Sequence, residues 1–222
     1  MMFRLFAALM FAATLALSAH AADKILRLAP MDEGSGDASF LNFRNELKAI
    51  ISRKDAAALM KHVAPNVTNS FGGGWGAADF KKTWKLGDPK SLVWRALSIV
   101  VEHGGNFDNK TTFSAPYVFS AWPDDADPYF TVAVVVPNAV LRAAPRADGA
   151  IVRRLNHDLL EVLKSAGKSQ HEAGPNDWDE VKDAGGKHGF VPASEVRSPV
   201  DYRAIFEKRK GKWVLTTFIA GD

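Results

Sequence analysis

The end of the chain constrains the fold most. Tyr202, Ala204 and Phe206 alternate with polar residues, Lys210-Gly211 breaks the pattern, and Trp213 to Ile219 supplies a second β-branched and aromatic run. This predicts a β-hairpin. A lone hairpin is marginal in water, so its apolar side chains must be covered by residues distant in sequence. The C-terminus therefore has to return to an earlier segment.

That earlier segment is predicted to be helical. Phe40, Phe43, Leu47, Ile50 and Ile51 recur on one helical face, with Asp37 or Ser39 as the cap. Asp55 stands where a second, short helix needs its N-cap, Leu59, Met60 and Val63 face one way, and Pro65 stops it. Phe71-Gly72-Gly73-Gly74-Trp75-Gly76 reads as a tight turn, because a phosphate loop would end in Lys-Ser/Thr. Helices are predicted from Ala77 to about Lys85 and from Ser91 to His103. Lys110 to Trp122 reads as a strand interrupted by Pro116. Asp124-Asp125-Ala126-Asp127 reads as a solvated turn, since it lacks the length and closing Glu of a calcium loop.

From Tyr129 the chain reads as all-β. Short runs at Phe130–Val136, Val140–Ala143, Ile151–Leu155, Leu159–Leu163, Trp178–Val181 and Gly189–Val191 are divided by turn residues, which is the spacing of a small barrel. Arg142, Pro145, Trp178, Gly189, Phe190 and Val191 together resemble a bacterial SH3-like (SH3b) domain over about residues 130–196. The polar insert 164–177 departs from that family's pattern. The resemblance implies binding of peptides or cell-wall glycopeptides, with Trp178, Phe190 and Arg142 as candidate ligand-binding residues. The alternative reading makes Trp178 and Phe190 core residues of a spacer. The closing hairpin, with Phe206, Lys208, Gly211, Trp213, Leu215 and Phe218, is similar to that of small exported α+β domains of the nuclear-transport-factor-2-like kind.

The start of the chain points to export. Arg4 precedes an apolar run from Leu5 to Leu17, and Ala19-His20-Ala21 offers the small residues of a cleavage site. The run is too short for the roughly 18–20 residues of a membrane span. The chain has no cysteine, which suits the bacterial periplasm better than a disulfide-rich secreted domain and excludes a thiol nucleophile. A formal charge of +3 is too small to argue for nucleic acid or an anionic membrane.

The fold class expected from these patterns is α+β: a helical/β N-terminal domain completed by the C-terminal β-hairpin, with an inserted small SH3-like β-barrel. The divisions are a signal peptide at 1–21, a flexible leader at 22–38, a discontinuous α+β domain at 39–128 plus 198–222, and the barrel at 129–197. His62, His103, His157, His171 and His188 show no metal-ligand spacing, so neither metal nor cofactor is expected. No nucleophile elbow is spelled out. The function expected is that of a non-catalytic periplasmic binding or scaffold protein, its partner peptidoglycan or a periplasmic protein. The alternative is a cell-wall-associated hydrolase with a carboxylate site in the N-terminal domain.

Overall fold

In a computed structural model the described residues are 26–221; the expected signal peptide lies outside them. Helix α1 (Ala38–Arg53) starts where the Asp37 carboxylate accepts a hydrogen bond from the Phe40 N–H at 2.8 Å, satisfying a donor that the helix itself cannot. It buries Phe40, Phe43, Leu47, Ile50 and Ile51 and ends at Lys54, which takes the left-handed conformation. Asp55 then caps α2 (Ala56–Met60) by accepting from the Ala58 N–H at 2.9 Å.

Pro65 does not stop α2, which ends at Met60; it lies within a strand, β1 (Val63–Thr68). Val63 and Val67 are buried while Pro65 is exposed. β1 is an edge strand, where ladder positions without a partner tolerate proline. After α3 (Ala77–Thr83) and α4 (Val93–Glu102) come the paired strands β2 (Asn106–Asn109) and β3 (Thr112–Ala115). The segment read as one interrupted strand is thus a strand followed, across a cis Ala115–Pro116 bond, by a helical turn, α5 (Tyr117–Ser120).

The next seven strands are β4 (Thr131–Val134), β5 (Val140–Arg142), β6 (Ile151–Arg154), β7 (Leu159–Lys164), β8 (Trp178–Lys182), β9 (His188–Pro192) and β10 (Val196–Arg197). The chain ends with β11 (Arg203–Arg209) and β12 (Lys212–Ile219). Two sheets result, ordered β1-β12-β11-β3-β2 and β10-β4-β7-β8-β9-β5-β6. In the first, β11 pairs antiparallel with both β12 and β3, and β12 runs parallel to β1. The Phe40 ring from α1 packs on this sheet, its centroid 4.0 Å from Phe113 and 5.1 Å from Trp213. Gly34 makes the approach possible, since a Cβ there would fall 2.7 Å from the Phe40 ring.

The sheet topology corrects the expected fold class. The described chain is mostly β with few helices, not a helical/β domain carrying an SH3-like barrel. The seven-stranded sheet is open, with β10 and β6 at opposite edges. The physical reason lies in β10. It has only two residues, and the chain then leaves the sheet to begin β11, so among the described residues no strand remains to meet β6.

Residues 26–37, read as part of a flexible leader, are bonded into the fold. The Leu28 N–H donates to His157 O at 2.9 Å, and the Glu33 N–H donates to Gly105 O at 2.9 Å. Asp32 forms a two-pronged ion pair with Arg44. This segment therefore touches both sheets.

The aromatic cluster under β11 sets the first testable expectation. Phe206 is fully buried between Phe40 and Phe43. Phe206→Ala should lower stability by about 3–5 kcal/mol, measured by equilibrium urea unfolding. A loss below 1 kcal/mol, on the order of a surface change, would contradict this packing.

Candidate functional site

Where β10 hands the chain to β11, alternation turns Arg197 away from the core of the second sheet. Val196 joins that core, while Arg197 enters the seam between the sheets, only 2% exposed. A guanidinium taken from water must be answered by hydrogen bonds or charge. Here Nη1 donates to Gln170 Oε1 at 3.2 Å and lies 3.3 Å from Asp201 Oδ2. Nη2 donates to the Tyr202 carbonyl.

The polar insert supplies the opposite wall. It curls back on itself: the Glu172 N–H donates to Ser169 O at 2.9 Å, and Asp177 Oδ2 accepts from the Gly174 N–H at 2.8 Å. Asp179 Oδ1 accepts from the Ala166 N–H at 2.7 Å. Gln170 and His171 are thereby buried. Gln170 Nε2 donates to Ser194 O at 3.2 Å. Arg95 of α4 reaches the carbonyls of Gln170 and Ala173 at 3.4 and 3.3 Å. The His171 ring meets Tyr202 edge-on at 4.9 Å, and Tyr202 stacks on Phe218 at 5.3 Å.

Between these walls opens a cleft of about 430 Å³. Val132, Val162 and Val196 give it an apolar base, with Tyr129, Lys168 and Glu172 among its other lining residues. Tyr129 is more than half exposed.

Burial lowers the His171 pKa; Arg197 and Arg95 act in the same direction and Asp201 and Glu172 against it. Burial likewise raises Tyr202, reinforced by Asp201 and Glu172, and it raises Asp179. On the far side of Arg197, His103 at the end of α4 is brought down to about 4, first by burial and then by the Arg197 charge, with a Gln170 hydrogen bond working the other way. Burial pushes Tyr117 up to about 12 against the pull of Arg197. Ser169 Oγ lies 3.1 Å from His171 Nδ1 and 2.9 Å from Glu172 Oε2. The hydroxyl has one proton. With that hydrogen directed at the Glu172 carboxylate, the serine is left to accept from the His171 Nδ1–H tautomer, and His171 does not activate it. The side chains of the cleft are held by one another, an arrangement suited to presenting a fixed surface.

The residues predicted from sequence lie elsewhere. Trp178, Glu180 and Lys182 pair with Pro192, Phe190 and His188, and Arg142 is opposite Phe190. Val181 and Val191 point into the core, so Trp178, Phe190 and Arg142 share the other face. All three are half-buried. Arg142 donates to Gly149 O at 2.8 Å, and Phe190 neighbours His188 at 5.9 Å. The structure brings Arg142 and Phe190 together and places Trp178 on their face, and none of the three lines the cleft. Arg197, Asp201, His171 and Tyr202 were not singled out for binding by the sequence reading. The signal available was the polar insert 164–177.

No protein-family model matches the chain, and no curated protein matches it. Among solved structures, a protein from Xanthomonas campestris described as a calcium/calmodulin dependent protein kinase II association domain is similar at 10% identity, with 87% of this chain and 97% of that one covered. The TM-score is 0.27, and no fold assignment follows from it.

The depressed His103 pKa makes stability depend on pH. Above the ordinary value near 6.5 the imidazole is neutral in both folded and unfolded chains. As pH falls from there to about 4, the unfolded chain takes up a proton that the folded chain refuses, and stability drops by about 3 kcal/mol from this group. His103→Gln should remove that part of the decline. Urea midpoints of both proteins across this window check it; parallel curves would show that His103 does not resist protonation.

Proposed function

We propose that this chain is an exported, non-catalytic binding protein whose cleft at the seam takes a peptide or cell-wall glycopeptide segment. The observation that carries the reading is the division of labour in the cleft. Its buried charged and polar side chains hold one another, while Val132, Val162 and Val196 form an apolar base. Clefts of this size, with an apolar lining and a few fixed polar groups, suit small ligands and short segments. Lys168 and Glu172 add both charges, which suits a peptide bearing both. The peptide and glycopeptide classes come from the sequence resemblance, and export from the pattern of residues 1–21. The protein recovered from the periplasm is expected to begin at Ala22.

Binding of fluorescent muropeptides, followed by anisotropy, tests the reading. Tyr129→Ala should weaken affinity about tenfold, the loss of one well-placed aromatic contact, with the melting temperature retained. Phe190→Ala should leave affinity unchanged. If Phe190→Ala abolishes binding and Tyr129→Ala does not, the ligand sits on the Trp178–Phe190–Arg142 face instead. A lysis zone on a peptidoglycan zymogram would replace the binding reading with the hydrolase alternative.

A further inference from the structure

A second surface stands apart from the cleft. Three glycines carry the chain from Phe71 to Trp75, and Gly73 and Gly74 hold φ of 100° and 145°, conformations that glycine adopts without strain. The inner side of Phe71 is fixed by the Arg203 guanidinium, 5.5 Å from its ring centroid and 5.0 Å from that of Phe119. Even so, Phe71 remains 55% exposed and Trp75 67%. The loop holds two large aromatic rings in water, at the entrance to α3.

Helix α3, which begins two residues after Trp75, carries charge. Ala78, Lys81, Lys82 and, just past the helix, Lys85 are spaced along one helical stripe. They line a shallow depression of about 410 Å³ together with Leu86, Gly87 and Asp88. Among the described residues none of the three ammonium groups has an ion-pair or hydrogen-bond partner. The neighbouring carboxylates are engaged: Asp79 accepts from Asn69 at 2.9 Å and Asp88 from the Lys90 N–H at 2.8 Å.

We propose that this edge of the first sheet is a docking surface for an anionic phospholipid membrane. Trp75 would lie at headgroup depth, where amphipathic aromatic rings are favoured, Phe71 would add apolar contact, and Lys81, Lys82 and Lys85 would meet the phosphates. Charge complementarity selects this occupant. Each lysine near such a surface strengthens binding about fivefold, and lasting peripheral attachment takes an apolar and a basic element together. The small net charge of the chain is no obstacle, because surface binding is set by this local cluster within a screening length.

The test is co-sedimentation of protein from the soluble fraction of an exporting bacterial host, its N-terminus sequenced so that residues 5–17 cannot report in place of the loop. It should pellet with vesicles of equal parts phosphatidylglycerol and phosphatidylcholine, much less with pure phosphatidylcholine, and less in high salt. Changing Lys81, Lys82 and Lys85 to Gln should lower partitioning about a hundredfold, while changing them to Arg should preserve it. Trp75→Ala should lower it about tenfold, and Trp75→Phe less. All these side chains are exposed, so thermal melts should match the parent. The proposal is overturned if the parent does not bind anionic vesicles, if it binds neutral vesicles equally, or if the variants partition as the parent does. It is equally overturned if Trp75→Ala instead abolishes self-association in solution, since a second copy would then cover the patch.

Discussion

Arg197 holds a charge where water does not reach, and the two sheets meet around it. Burying a guanidinium costs several kcal/mol, on the order of the whole stability margin of a domain. That cost is tolerable only if every partner is in place at once. Gln170 comes from the polar insert, Asp201 and the Tyr202 carbonyl from the connection to β11, and the residue itself from β10. A misplaced insert or connection would strand the charge. The interaction therefore specifies how the sheets join more than it stabilises them. It also adds to the electrostatics nearby: burial is the main cause of the lowered His103 and His171 and of the raised Tyr117, and the same buried cation works with burial at the two histidines and against it at the tyrosine.

A second tie crosses between the sheets by another route. The leader bonds to His157 on the second sheet side and to Gly105 on the first, while Asp32 pairs with the buried Arg44 of α1. Arg153, placed between Asp158 and Asp183, braces the region where the leader arrives.

What the sequence revealed follows from the range of the interactions involved. α1 and α2 were legible because their caps and apolar stripes lie within a few residues of each other, and the β11–β12 hairpin because Lys210-Gly211 marks its turn. β1 was missed because Pro65 looks the same whether it stops a helix or sits on a sheet edge; the distinction depends on β12, about 150 residues later. Sheet closure is a pairing between distant strands, and no local pattern shows that β10 is too short to make it. Arg197 is spelled like any surface arginine, so the partners that bury it are visible only after folding. Trp178 and Phe190 stood out because aromatics are conspicuous in a string of letters, which says little about which face they take.

The opening of the second sheet and the presence of a cleft have one cause. Val132, Val162 and Val196 belong to the core of that sheet and also form the base of the cleft. A strand continuing from β10 would have extended the second sheet past that edge. Instead the chain crosses to the first sheet, which needs β11 and β12 to cover Phe40 and its neighbours, and the insert folds over only part of the gap. The cleft therefore opens where the crossing leaves the second sheet, over valines that belong to that sheet's core. The seam charge network is placed there for the same reason, because the crossing segment 198–202 carries two of the partners of Arg197, Asp201 and the Tyr202 carbonyl, as well as one wall of the cleft.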